Sequence, residues 1–148
     1  MPQSLSNILL HLVFSTKNRT PWLSQEIRKE LYPYLGAVLR NNGCSPVQIG
    51  GVDDHVHLLF VLSRTATVAQ IVEKAKTSSS KWAKGKGLPE FAWQSGYGVF
   101  SVGPTEKETI VRYIQRQEEH HKDRSFQHEL RQLLEEAEVT FDEQYVWD

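Results

Sequence analysis

Two histidines set one residue apart, His55 and His57 in Asp53-Asp54-His55-Val56-His57-Leu58-Leu59-Phe60, are the side chains best placed for chemistry. The run reads as a β-strand, whose side chains alternate faces, so both imidazoles project the same way with Cα atoms roughly 6.6 Å apart. That span suits two nitrogen ligands of one metal ion, with Val56, Leu58 and Phe60 turned to the opposite face. Two ligands leave a site incomplete. Tyr113 and Gln117 lie four residues apart on a predicted helix, which puts them on one face about 6 Å from each other. Gln117 offers a neutral carbonyl oxygen as the third ligand, and Tyr113 then stands where a metal-bound phosphate could meet its hydroxyl. Taken singly, each has an ordinary alternative, the tyrosine as packing and the glutamine as a solvated residue.

The elements that must position these groups are legible in outline. Residues 8–14 form an apolar run around His11 suited to a buried strand, followed by the polar loop Ser15-Thr16-Lys17-Asn18-Arg19-Thr20-Pro21. Between residues 24 and 40, Ile27, Leu31, Leu35, Val38 and Leu39 recur at helical spacing, with Pro33 expected to kink or split the helix. Residues 47–52 and 55–62 read as a hairpin turning at Asp53-Asp54. Thr67-Val68-Ala69-Gln70 is a capping box that opens a second helix, and residues 97–102 a short strand. Thr105 to Glu108 reads as another box, opening the helix that carries Tyr113, Gln117 and His121. Ser125 caps a last helix whose apolar face is Phe126, Leu130, Leu133 and Leu134. The order β-α-β-β-α-β followed by helices predicts an α+β, ferredoxin-like split-βαβ fold, an antiparallel sheet with helices on one face plus C-terminal helices. One domain spans residues 1–148, an αβ core to 103 and a helical tail from 104 that carries the nucleophile.

Composition narrows the function classes. The 148 residues are 39% apolar, enough for one sizeable core. No apolar run approaches the roughly 18 residues of a membrane span, and residues 1–7 lack the pattern of a signal peptide. Cys44 is the single cysteine, so no internal disulfide forms and a cytoplasmic, nucleoid-associated location is expected. No G-x-x-x-x-G-K-[ST] loop is present, which argues against a nucleotide cofactor. The net charge of −1 hides an asymmetry, +5 over residues 1–100 and −6 over 101–148. A basic body suits phosphate binding, although solvated glutamates on tail helices account for the acidic half equally well.

Taken together, the chain resembles the single-tyrosine transposases of small bacterial insertion sequences and their REP-associated relatives, within the His-hydrophobe-His class of single-strand DNA nickases. The resemblance rests on residues 15–19, on Gly51-Val52-Asp53-Asp54-His55-Val56-His57-Leu58-Leu59, on Trp93-Gln94-Ser95-Gly96-Tyr97-Gly98 and on Tyr113-Ile114-Gln115-Arg116-Gln117 with His120-His121. The ending Asp142-Glu143-Gln144-Tyr145-Val146-Trp147-Asp148 belongs to it as well. It implies that His55, His57 and Gln117 hold Mg²⁺ or Mn²⁺ and that Tyr113 is the nucleophile. It also implies a homodimer in which the tyrosine helix completes the partner's site. Hairpin-bearing single-stranded DNA would be cut and rejoined through a 5′-phosphotyrosine. The covalent link keeps the phosphodiester's energy, which fits the missing phosphate-binding loop. On ligand chemistry alone two imidazoles favour Mn²⁺ or Zn²⁺ over Mg²⁺, and of the two ions that the resemblance implies Mn²⁺ is the better fit.

Further residues have both functional and plain readings. Lys17 and Arg19 after the first strand, Lys81 on the second helix and Arg116 beside the tyrosine are the DNA-binding candidates, or else a solvated loop and solvated helix faces. His121 shares the Tyr113 face as a supporting or substrate group, and His120 faces solvent. Asp54 is expected to point away from His55, and His11 to be a satisfied core histidine. The rival class is a non-catalytic or domesticated hairpin-binding protein of the same fold. Gly96-Tyr97-Gly98-Val99-Phe100-Ser101-Val102 echoes the aromatic strand of RNA-recognition sheets, although that reading gives His55 and His57 no role.

Overall fold

The computed structural model describes residues 2–121 and 124–148, with only the backbone of His120. Strands β1 (Leu9–Ser15), β2 (Ser45–Gly51), β3 (His55–Val61) and β4 (Gly98–Ser101) form one antiparallel sheet in the order β2-β3-β1-β4. Helix α1 (Gln25–Asn41) joins β1 to β2 and α2 (Val68–Gly85) joins β3 to β4. The tail contributes α3 (Lys107–Gln115), α4 (Gln117–His120) and α5 (Phe126–Glu136). This is the expected split-βαβ fold. Among the described residues no helix is long and apolar enough to cross a membrane.

Strand alternation divides the sheet's two faces. Leu10, Leu12, Phe14, Val56, Leu58 and Phe60 pack with Leu31, Leu35 and Leu39 of α1 and Ile71, Val72 and Ala75 of α2. Each such Leu, Ile, Val or Phe side chain, once buried, contributes roughly 1.5–3 kcal/mol, so this layer is the main core. The opposite face carries two smaller clusters. Leu9 and Leu59 meet Ile114 of α3, and Val13 meets Phe126, Leu130 and Leu134 of α5. Between them sit the buried polar side chains His11, His55, His57, Gln117 and Glu129. The tail thus roofs the sheet's second face, and the candidate chemistry lies under it.

Local signals mostly held. Thr67 and Gln70 form the capping box of α2, and Ser125 caps α5 by accepting from the His128 amide. Pro33 does not split α1. It lies on the exposed side of the helix, where water can replace the lost backbone bond. The second capping box does not form. Residues 104–106 instead make a 3-10 turn, and α3 starts at Lys107 without a side-chain cap. Pro104 enters that turn at its first position, which displaces the helix start beyond Thr105.

Candidate active site

β3 presents His55 and His57 to the tail face, both fully buried. In the β1–β3 register Val13 lies opposite His57, and His11 two residues along projects to the same face. His11 Nε2 comes within 2.7 Å of His57 Nδ1. Burial, helped by the neighbouring His57, pushes His11 down to about 3, and burial also lowers His57, so both rings are neutral near pH 7. His11 is therefore a buried sheet histidine that also fixes the ring of His57.

Asp54 corrects an expectation. It belongs to the turn before β3 rather than to the alternating strand, so its carboxylate curls back to 2.7 Å from His55 Nδ1. A carboxylate accepts, so Nδ1 carries the proton and Nε2 is aimed at the tail. Burial disfavours a charge on His55, but Asp54 and Glu129 together overcome it and hold the ring up at about 9.

Tyr113 and Gln117 do not share one continuous helix as the spacing predicted. α3 ends at Gln115, Arg116 takes φ −99° and ψ 19°, and Gln117 opens α4. Arg28 of α1 anchors this short helix. Its guanidinium donates to Leu23 O at 2.6 Å and pairs with Glu118 at 2.9 Å. Gln117 is buried with Oε1 3.1 Å from His55 Nε2. The ring of Tyr113 lies edge-on to His57, centroids 5.7 Å apart. The four side chains expected to work together do meet, within a single chain.

The central residue of the cluster was not anticipated. Glu129 of α5 is buried, and its Oε1 lies 3.1 Å from His55 Nε2, 3.1 Å from His57 Nε2 and 3.0 Å from His121 Nε2. Its Oε2 accepts from Gln117 Nε2 at 3.0 Å and from the Tyr113 hydroxyl. Burial opposes ionisation of Glu129, but the surrounding imidazoles outweigh it and keep the carboxyl well below the usual carboxylate range. Tyr113 is raised in turn, by burial first and then by the facing carboxylate. A signal for Glu129 exists in the sequence. Positions 126, 129, 130, 133 and 134 form one helical stripe, and Glu129 is its only charged member.

A model of the IS200-like transposase family matches residues 4–117, which span both histidines, Tyr113 and Gln117. The chain belongs to that family. Among solved structures it is similar to a protein from Deinococcus radiodurans R1 assigned as a transposase (TM-score 0.63, 23% identity, covering 79% of this chain and 98% of that one). It is also similar to a REP-associated tyrosine transposase bound to a REP hairpin (TM-score 0.62, 15% identity, 82% and 72% covered). At these identities the likeness concerns the fold. No curated protein matches.

In this transposase the DNA-binding candidates are spread out. Lys17 is exposed on a 3-10 turn and its amide bonds Ala92 O at 2.9 Å; Arg19 donates to Trp147 O at 3.4 Å. Lys81 is exposed on α2, in a groove of about 530 Å³ with Lys76, Lys84 and residues 91–95. Lys76 is already committed, donating to Gln94 O, Ser95 O and Gly96 O at 2.7, 3.2 and 2.6 Å, and burial pushes it down to about 8. Arg116 is exposed at the α3–α4 break, on the other side of the sheet from Lys81. Lys17 and Lys81 flank one loop; Arg116 does not join them.

Proposed function

We propose that this transposase nicks and rejoins single-stranded DNA with hairpin ends, using Tyr113 as nucleophile and a divalent cation, Mg²⁺ or Mn²⁺, at His55, His57 and Gln117. The observation that carries the reading is convergence. Gln117 Oε1 lies 3.1 Å from His55 Nε2 while Tyr113 packs against His57, from elements over fifty residues apart in sequence. The donor set, imidazole nitrogens with carboxamide and carboxylate oxygens, fits such an ion. A bound ion would supply charge withdrawal from the scissile phosphate.

The chain's own residues supply position and proton control. The Tyr113 hydroxyl donates to Glu129, which holds it at the histidine cluster in one orientation. Attack by the phenol oxygen forms a P–O bond, breaks the bond to the 3′ oxygen and leaves a 3′-hydroxyl. The number of phosphodiester bonds is unchanged, so the reverse step on another 3′ end needs no nucleotide. The hairpin preference is carried over from the REP-hairpin complex of the similar transposase.

A homodimer belongs to the same reading. Tyr113 and His57 meet within one chain, so exchanging α3 between two chains would replace that contact with an identical intermolecular one. The decisive experiment incubates the full chain with Mn²⁺ and hairpin-bearing single-stranded DNA and resolves covalent adducts under denaturing conditions. Wild type should form an adduct and Tyr113→Phe none. An adduct that persists in Tyr113→Phe puts the nucleophile elsewhere. Hairpin binding without any wild-type adduct would leave a non-catalytic binding protein.

A further inference from the structure

The family match ends at Gln117, yet the polar cluster extends past it to His121 and Glu129. We infer that His121 and Glu129 are ligands of the same divalent cation as His55, making the site a mixed imidazole–carboxylate centre that α5 completes. The inference rests on the cation in the proposed function but not on nicking.

Hydrogen-bond accounting carries it. His121 Nδ1 lies 2.6 Å from the carbonyl oxygen of Arg124, an atom that only accepts, so Nδ1 carries a proton and Nε2 is the nitrogen turned to the cluster. Asp54 imposes the same tautomer on His55. Both Nε2 atoms then meet one carboxylate oxygen, at 3.1 and 3.0 Å. Gln117 turns its carbonyl oxygen to the same place, and its own amide donates instead to the other oxygen of Glu129. Nε2 of both imidazoles, a carboxylate oxygen and a carboxamide oxygen converge on one point, where hydrogen bonds close the set in the metal-free protein and a divalent cation would take the place of the bridging protons. An outer nitrogen locked by a carboxylate or a backbone carbonyl is the arrangement that orients metal-binding imidazoles.

The geometry agrees. Ligand atoms of His55, His121 and Glu129 all lie within 4.8 Å of one another, the span that opposing ligands of a single ion require. His57 approaches the same carboxylate oxygen from outside this trio. With its Nδ1–H donating to His11 Nε2, His57 would keep the Nε2 lone pair that its place in the proposed cation site needs. A carboxylate also alters the ion preference. Imidazoles alone favour softer ions, whereas an anionic oxygen brings Mn²⁺ and Mg²⁺ into range.

The test measures Mn²⁺ binding to the full chain without DNA, by the electron paramagnetic resonance signal of free Mn²⁺. Glu129→Gln and His121→Asn should each weaken binding at least tenfold; variants that both stay within twofold of wild type overturn the assignment. Because Glu129 is buried, a second measurement avoids substitution. One equivalent of Cd²⁺ added to wild type with ¹⁵N-labelled histidine should shift the Nε2 resonances of both His55 and His121. A shift at His55 with His121 unmoved also overturns it. Neither readout involves strand cleavage, so failure of the nicking reading appears separately, as a missing covalent adduct.

Discussion

Asp54 and Glu129 hold His55 from opposite ends of its ring, and this has a consequence for pH. The folded protein keeps a proton on His55 up to about pH 9, against the ordinary imidazole value of 6.5 in the unfolded chain. Stabilisation from that proton is full below pH 6.5 and is lost as pH rises through about 9, on the order of 3 kcal/mol at most. The thermal midpoint of the metal-free protein should therefore fall between pH 6.5 and 9. Asp54→Asn should flatten the fall, and an unchanged slope would show that Asp54 does not hold the proton. Cation affinity should rise over the same window, since a metal must displace that proton. Residue-scale legibility was uneven for a physical reason. The two-residue period put His55 and His57 on one face because both lie inside the strand, whereas Asp54 lies in the turn, where that period does not apply. Glu129 meets partners more than seventy residues upstream, so only its odd place in an apolar stripe could mark it.

At the scale of elements, α3 is held where Tyr113 reaches the histidines by its close seat on the edge strand β2. A Cβ on Gly50 would lie 2.8 Å from Ile114 Cγ2 and 2.9 Å from its carbonyl oxygen. The backbone carbonyl cannot rotate away, so Gly50→Ala must push α3 outward. The expected cost is about 1–3 kcal/mol, with adduct formation falling further than stability because Tyr113 sits one residue before the contact. A denaturant melt beside the adduct assay separates the two; equal, small losses would show that α3 is not set by this contact. α2 makes a second case. Its capping box and apolar stripe were readable locally, but the partner of its basic face was not, because Lys76 is consumed by the 94–96 loop. That leaves Lys81 and Lys84 as the outward cations of the groove. Alanine at each should weaken hairpin DNA binding and reduce the salt slope by about one, whatever the sequence. A salt dependence unchanged in the double variant would move the DNA track off α2. The break at Arg116 was not legible at all, since nothing in Tyr113-Ile114-Gln115-Arg116-Gln117 interrupts helix propensity; the Arg28–Glu118 pair from α1 holds α4 beyond it.

For the whole molecule, the division into an αβ core and a helical tail describes chain order more than independent parts. The first 103 residues contain the complete sheet, α1 and α2, and could pass for a self-sufficient two-layer domain. Yet that fragment would leave Leu9, Val13 and Leu59, each almost fully buried, open to solvent on the second face. Beside them would lie His11 and His57, two buried imidazoles whose present pairing assumes a dry environment. The tail closes this face twice. α5 covers Val13, and residues 141–148 fold back so that Trp147 packs on Phe126 and Arg131 while the Gly96 amide bonds Asp148 O at 2.8 Å. We therefore propose one folding unit and expect the full chain to melt in a single transition seen alike by tryptophan fluorescence and far-ultraviolet circular dichroism. A fragment of residues 1–103 should aggregate or bind an apolar dye, because it would expose Leu9, Val13 and Leu59 together with imidazoles that have lost their partners. If that fragment instead proved monomeric and cooperatively folded, the second face would be stable in water, and the histidine cluster would be an open surface that the tail merely visits.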